Sequence, residues 1–339
     1  MAKKEVLLGS IFLLLISFSY FFYNQNKNNT KELMVMKMED KVISYIENNK
    51  EFKEEYRQMY EQINYHNENN FFKEINILLN LSYTPDEINN IYDFVSHENI
   101  EKLLDYDKLD LKEYYTIQNF EVDKIPRYEE YQETHNCTLD EAVLKVNIGL
   151  DHNFYTQIET INNLDDYTIL VNKYRSLGEY EPTDLKSLSY DSKYQLREKA
   201  RDAFEKLVSH AKLENVFIKP YSAYRSYTYQ NSLYNTYVER DGKEVADTYS
   251  ARPGHSEHQT GLAVDVWSEG YNEIRESDAK WLQENSYKYG FIVRYSKENK
   301  NITGYIEEPW HLRYLGVDIA TDVHEKNLTY DEYYDLYIK

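Results

Sequence analysis

The chain has 339 residues, room for two domains or for one large domain with extensions. Its 59 acidic and 39 basic side chains give a formal charge of −20, which argues against a nucleic-acid binder, because phosphate recognition needs a basic face. The hydrophobic fraction of 41% is enough for a core, and the single cysteine, Cys137, excludes both an internal disulfide and a cysteine-built zinc site.

Lys3 and Lys4 precede an uncharged, mostly apolar run from Val6 to Tyr23. As a helix this run spans about 27 Å, close to the thickness of a bilayer's hydrocarbon core. The lysines are expected to stay in the cytoplasm, which places the rest of the chain outside. Residues 1–23 therefore read as an uncleaved signal anchor or as a signal peptide cut near Ser17-Phe18-Ser19. Aromatic residues continue past the cleavage pattern and favour the anchor. The expected location is the cell membrane, single-pass, with the bulk of the chain extracytoplasmic; the alternative is secretion.

Residues 24–65 are polar, with a weak helical pattern, and read as a stalk. Residues 66–165 read as mostly helical. Thr84-Pro85-Asp86-Glu87 and Thr138-Leu139-Asp140-Glu141 are capping boxes, the first with proline at the opening helical position. Residues 166–325 mix helices and strands. Leu196, Ala200, Ala203, Phe204, Leu207, Val208 and Ala211 fall on one helical face. Val216-Phe217-Ile218 reads as a short strand and Leu262–Trp267 as a buried one. Ser277–Tyr289 reads as a helix stopped by Gly290, followed by a strand over Phe291–Tyr295. Residues 326–339 are left as a C-terminal tail.

The chemistry-bearing residues concentrate in the third region. Histidine nitrogen and carboxylate oxygen are good ligands for a divalent zinc ion, and His258, Asp265 and His311 can supply three of them. A fourth position left to water would make such a site catalytic. Glu308, three residues before His311, can move protons, and Arg225 can hold an anionic group. Spacing alone leaves open whether a metal binds, because His and Asp recur at such intervals by chance. Asp265 is more telling: a carboxylate inside the apolar run Leu262–Trp267 is costly unless a cation or metal meets it. Alternation places Asp265 with Ala263 and Trp267, opposite Val264 and Val266.

These segments resemble the VanY-type zinc D-alanyl-D-alanine carboxypeptidases, relatives of the VanX dipeptidases. The pattern of that family is S-x-H-x6-D followed by E-P-W-H. Here it stands as Ser256-Glu257-His258, Asp265 and Glu308-Pro309-Trp310-His311. Flanking matches include Ser222–Ser226 with Gln230, and Arg252-Pro253-Gly254. The resemblance spans about residues 166–320; a looser one, from Tyr83 to Tyr155, carries no chemistry.

The resemblance implies that His258, Asp265 and His311 bind zinc and that Glu308 is general base and then general acid. It gives Arg225 the developing oxyanion or the substrate carboxylate, and places Gln230, Ser256 and Tyr295 along the substrate pocket. It also implies an α+β domain whose small antiparallel sheet carries the metal site, in residues 166–325. The expected activity is hydrolysis of the terminal D-Ala from peptidoglycan stem peptides. The alternatives are an L,D-carboxypeptidase or endopeptidase of the same family, or a zinc-stabilised wall-binding module without turnover. His255 lies off the ligand pattern, Glu257 and Glu307 read as surface or supporting groups, and Arg252 as a structural loop residue or a substrate contact. Cys137 reads as a small packed side chain.

Overall fold

The structure is a computed structural model and describes residues 57–60, 62–64, 71–94, 100, 114 and 116–339. The expected membrane segment 1–23 and most of the stalk lie outside the described residues. Among the described residues no helix is long and apolar enough to cross a membrane. The chain divides into two compact units, residues 1–116 and 117–339.

In the first unit, helices α1 (Phe71–Asn80) and α2 (Pro85–Phe94) bury Phe71, Ile75, Leu78, Ile88 and Ile91. The expected cap opens α2: the Thr84 amide donates to Glu87 Oε2 at 2.8 Å, and the Glu87 amide to Thr84 Oγ1 at 3.4 Å.

The second unit runs α3 (Ile125–His135), α4 (Leu139–Asn147), β1 (Glu159–Thr160), β2 (Arg175–Ser176), β3 (Leu185–Ser187), β4 (Gln195–Arg197) and α5 (Glu198–Leu213). It continues with β5 (Ile218–Ser222), α6 (Tyr227–Asp241), β6 (Ala263–Ser268), α7 (Glu276–Asn285), β7 (Phe291–Tyr295), β8 (Glu308–Tyr314), α8 (Val317–Lys326) and α9 (Tyr330–Tyr337). The architecture is α+β, as expected. Strands β5-β6-β8-β7 form an antiparallel sheet in that order; β1 pairs with β2 in parallel, and β3 with β4 antiparallel.

Alternation along β6 sorts the sheet's two faces. Val264 and Val266 join Leu312 and Phe291 in the core beneath Ala200, Phe204, Leu207 and Ala211 of α5 and Leu282 of α7. Asp265 and Trp267 point to the other face and line a cleft. The second capping box opens α4, with the Thr138 amide 3.1 Å from Glu141 Oε2. Helices α3 and α4 bury Tyr128, Val143 and Val146 together. Lys145 of α4 pairs with Glu332 of α9 at 2.5 Å. Residues 117–165 and 326–339, which patterning set apart from residues 166–325, thus belong to the same compact unit. Their complementary surfaces lie far apart in the chain and are invisible to a segment-by-segment reading.

Three local differences have simple causes. The strand expected from Val216 begins at Ile218, because Asn215 (φ 61°) and a bond from the Val216 amide to the Ala211 carbonyl (2.9 Å) complete the turn out of α5. The helix expected to reach Tyr289 tightens into a 3-10 turn over Ser286–Tyr289, and the stop falls at Gly290 (φ 83°) as expected. A Cβ there would come within 2.9 Å of the Gly316 backbone. Strand β8 was not anticipated, because Glu308, His311 and Arg313 stand where an apolar alternation would have marked it.

Phe204 is fully buried and meets the Phe291 ring edge-on at 6.1 Å. Phe204→Ala is expected to destabilise the unit by about 3–5 kcal/mol in denaturant unfolding. Leu213→Ala, at a position 80% exposed, should change it by less than about 0.5 kcal/mol.

Candidate metal centre and active-site cleft

The central strands bring two candidate ligands together by register. Asp265 of β6 lies directly opposite His311 of β8, and His311 Nδ1 sits 3.0 Å from Asp265 Oδ1. The third, His258, comes from a 3-10 turn over Glu257–Thr260 that ends at Gly261 (φ 68°). Any larger residue at Gly261 would put a Cβ 2.8 Å from Leu185 Cδ2 and 3.0 Å from Arg197 Cγ. Glycine therefore lets the turn close against β3 and β4 and aims His258 at the sheet.

His258 Nδ1 is 2.7 Å from the Ala223 carbonyl, which only accepts, so Nδ1 carries the hydrogen and Nε2 is left bare. That Nε2 is buried without a hydrogen-bond partner, 3.1 Å from Asp265 Oδ2. One ligand atom from each of His258, Asp265 and His311 lies within 4.8 Å of the others, and all three residues are buried. A bare, buried imidazole nitrogen beside a carboxylate and a second imidazole fits a divalent cation, and two nitrogens with one oxygen suit zinc.

Glu308 reaches the cluster through a strand irregularity. In a regular strand, residues three apart point to opposite faces. Between the pairs Val293–Leu312 and Tyr295–Glu308, however, β7 advances by two residues and β8 by four. This bulge turns Glu308 back toward His311, with Oε2 3.8 Å from Nδ1. Burial pushes the Glu308 carboxyl up to about 7, against the opposing influence of His311. Burial, then the Arg225 charge, lowers His258. Burial would raise Asp265 and lower His311, but their mutual contacts, with His258 on Asp265 and Glu257 on His311, reverse both directions.

Arg225 follows β5 and is fixed by its own amide, which donates to the His258 carbonyl at 3.2 Å. Its Nη2 lies 3.3 Å from Asp265 Oδ2, and its Nη1 donates to Gln230 Oε1 at 3.1 Å. Gln230 is nearly fully buried, and its amide donates to the Ala251 carbonyl at 2.7 Å. Both ends of Gln230 are thus engaged by the protein, and it holds Arg225 in place. Ser256 and Tyr295 are buried along the cleft, and the Tyr295 ring packs 5.0 Å from that of His311. All eight expected site residues line one cleft of about 930 Å³. His255 instead bonds the Asn172 carbonyl at 2.8 Å, and Arg252 pairs with Asp247 at 2.8 Å and stacks on Tyr155; both serve the framework.

Glu257, expected as a surface or supporting group, has a larger part in the site. Its side chain is fully enclosed and its Oε2 lies 3.1 Å from His311 Nε2. Arg294 and Arg313 approach its other oxygen at 2.9 and 3.2 Å. One signal was present: Arg294 inside the apolar run Phe291–Tyr295 needs a buried partner for the same reason as Asp265.

Sequence comparison agrees with this geometry. The VanY family profile, described as D-alanyl-D-alanine carboxypeptidase, matches residues 193–317. YodJ of Bacillus subtilis (strain 168) is 41% identical over 192 residues, covering 52% of this chain and 70% of that protein. A D-alanyl-D-alanine carboxypeptidase of Enterococcus faecalis is 33% identical over 174 residues, covering 49% of this chain and 64%, just under two thirds, of that protein. A solved LdcB LD-carboxypeptidase is 40% identical, covers 53% of this chain and 91% of its own, and superposes with a TM-score of 0.49. The S-x-H-x6-D and E-P-W-H segments fall inside the matched span, and the chain belongs to the VanY family of D-alanyl-D-alanine carboxypeptidases.

Proposed function

We propose that this chain is a zinc-dependent carboxypeptidase that removes the terminal D-Ala from peptidoglycan stem peptides. The observation that carries the reading is the convergence of His258, Asp265 and His311 in one buried cluster, with Glu308 beside it and Arg225 across it. On this reading the second unit works outside the cytoplasmic membrane, held there by residues 1–23. The name of the Enterococcus faecalis relative supports the choice of D-Ala-D-Ala ends as substrate.

His258 Nε2, an Asp265 oxygen and His311 Nδ1 would hold the zinc ion. A zinc ion there supplies Lewis acidity, which makes water nucleophilic at neutral pH. The rest of the chemistry falls to the chain. Arg225, fixed by Gln230 and Asp265, offers positive charge to the oxyanion that develops on the scissile carbonyl, or to the substrate carboxylate. Glu308 takes a proton from the attacking water and returns it to the leaving amine. Ser256 and Tyr295 shape the pocket that receives the chain end, and Tyr295 keeps bulk water from the His311 ring.

The test is incubation of the chain with a stem pentapeptide ending in D-Ala-D-Ala and with the corresponding tetrapeptide, followed by mass spectrometry. Loss of one alanine from the pentapeptide, abolished by a chelator and restored by zinc, is the expected result. Cleavage of the tetrapeptide alone would replace the D,D assignment with L,D-specificity. Cleavage of neither by the zinc-loaded chain would leave an endopeptidase that needs cross-linked substrate, or a binding module.

Two variants separate metal binding from proton transfer. Glu308→Gln is expected to retain zinc while pentapeptide hydrolysis falls by about 10²–10⁴-fold. His258→Ala should lose zinc in equilibrium dialysis, and activity with it. Near-normal turnover by Glu308→Gln would remove Glu308 from its role.

A further inference from the structure

The four charged side chains behind His311 form a closed set. Glu257, Arg313, Arg294 and Asp331 are each 3% exposed or less. Glu257 Oε2 faces His311 Nε2 at 3.1 Å, while its Oε1 accepts from Arg294 Nε at 2.9 Å and Arg313 Nη1 at 3.2 Å. Arg294 Nη1 pairs with Asp331 Oδ2 at 2.9 Å, and Asp331 Oδ1 accepts from Asn172 Nδ2 at 2.8 Å. Arg313 Nη2 donates to the Ile169 and Tyr167 carbonyls at 2.6 and 3.3 Å. Two carboxylates and two guanidiniums balance in charge, and the set ends at Asp331 in α9.

Both ring nitrogens of His311 face carboxylates, which only accept, but Asp265 at Nδ1 belongs to the candidate ligand cluster and Glu257 at Nε2 does not. A metal shared with Asp265 would therefore take the Nδ1 side, and Glu257 would keep the hydrogen on Nε2. The Nδ1 lone pair of His311 is then left facing Asp265 and the cleft. Glu257 performs this service only while it is charged and held still, which Arg294 and Arg313 ensure. Arg294 in turn would be a buried, half-compensated cation without Asp331. We propose that Glu257 and Asp331 are positioning residues for the metal centre: Glu257 directly, and Asp331 through Arg294, fix the orientation and tautomer of His311, so that the C-terminal helix α9 is an integral part of that centre. This inference rests on the metal-site reading above.

The test measures zinc affinity of the whole chain by competition with a chromophoric chelator, alongside thermal unfolding of the metal-free protein. Glu257→Gln and Asp331→Asn should each weaken zinc binding by about 10–100-fold, the usual consequence of removing a group that orients a ligand. Asp331→Glu, which keeps the charge, should recover part of the loss. Asp278→Asn is the control. Asp278 is equally buried and pairs with Arg275 at 2.9 Å, but its partners Ser268, Arg275 and Ser277 bond neither Glu257 nor Arg294 nor a candidate ligand. Its loss should lower the unfolding temperature and leave zinc affinity within about twofold, as expected for a merely structural ion pair away from the ligands. Zinc affinity of folded Glu257→Gln and Asp331→Asn within twofold of the parent would overturn the proposal.

Should those variants fail to fold, nitrogen NMR of the zinc-loaded parent decides. A hydrogen on His311 Nε2 with Nδ1 bound to metal supports the proposal, and the reverse arrangement overturns it. If the parent binds no zinc at all, the metal-site reading fails first, and that outcome is distinct from normal binding by the variants.

Discussion

The cross-strand pairing of Asp265 with His311 is the contact on which the rest of the site depends. A carboxylate and an imidazole stand opposite one another on adjacent central strands, in the one sheet register that keeps Val264, Val266 and Leu312 in the core. A slip of one residue would bury Asp265 among apolar side chains and expose the valines. The energetics of the core and the placement of the ligands are therefore one constraint. The hydrophobic face beneath α5 fixes the register, and the register delivers the ligands to the cleft.

The remaining groups reach the cluster through departures from regular strand geometry. The bulge in β8 turns Glu308 to the side of His311, and a second register shift in β5, between Pro220 and Ser222, precedes the segment that carries Arg225. Gly261 lets the turn bearing His258 press against Arg197. Each irregularity lies beside a chemical group, where regular structure would have aimed the side chain elsewhere. The charges are compensated locally as well: Asp265 meets His258, His311 and Arg225, and Glu257 meets two arginines.

Much of this was legible in the sequence because the signals were local. Two capping boxes marked the starts of α2 and α4, alternation assigned the faces of β6, and Gly290 marked the stop before β7. The three motif segments meet in one cleft, and Asp265 stood out as a carboxylate in an apolar run. What was not legible depended on distant partners. Strand β8 offers no apolar alternation, because the burial of Arg313 is made tolerable by Glu257, 56 residues earlier in the chain. Residues 326–339 read as a tail because Asp331 and Glu332 look like surface acids until Arg294 and Lys145 are seen beside them. Gln230 lines the cleft, as the family resemblance implies, but its amide is committed to Ala251 and its carbonyl to Arg225.

The central claim is that His258, Asp265 and His311 share one metal ion beside Glu308. A zinc-edge anomalous difference map from crystals of the zinc-loaded chain tests it most directly. The account predicts a single strong peak in the second unit, about 2.0–2.2 Å from His258 Nε2, an Asp265 oxygen and His311 Nδ1, with a further position open to the cleft. A peak elsewhere, or none at those three side chains, would contradict it.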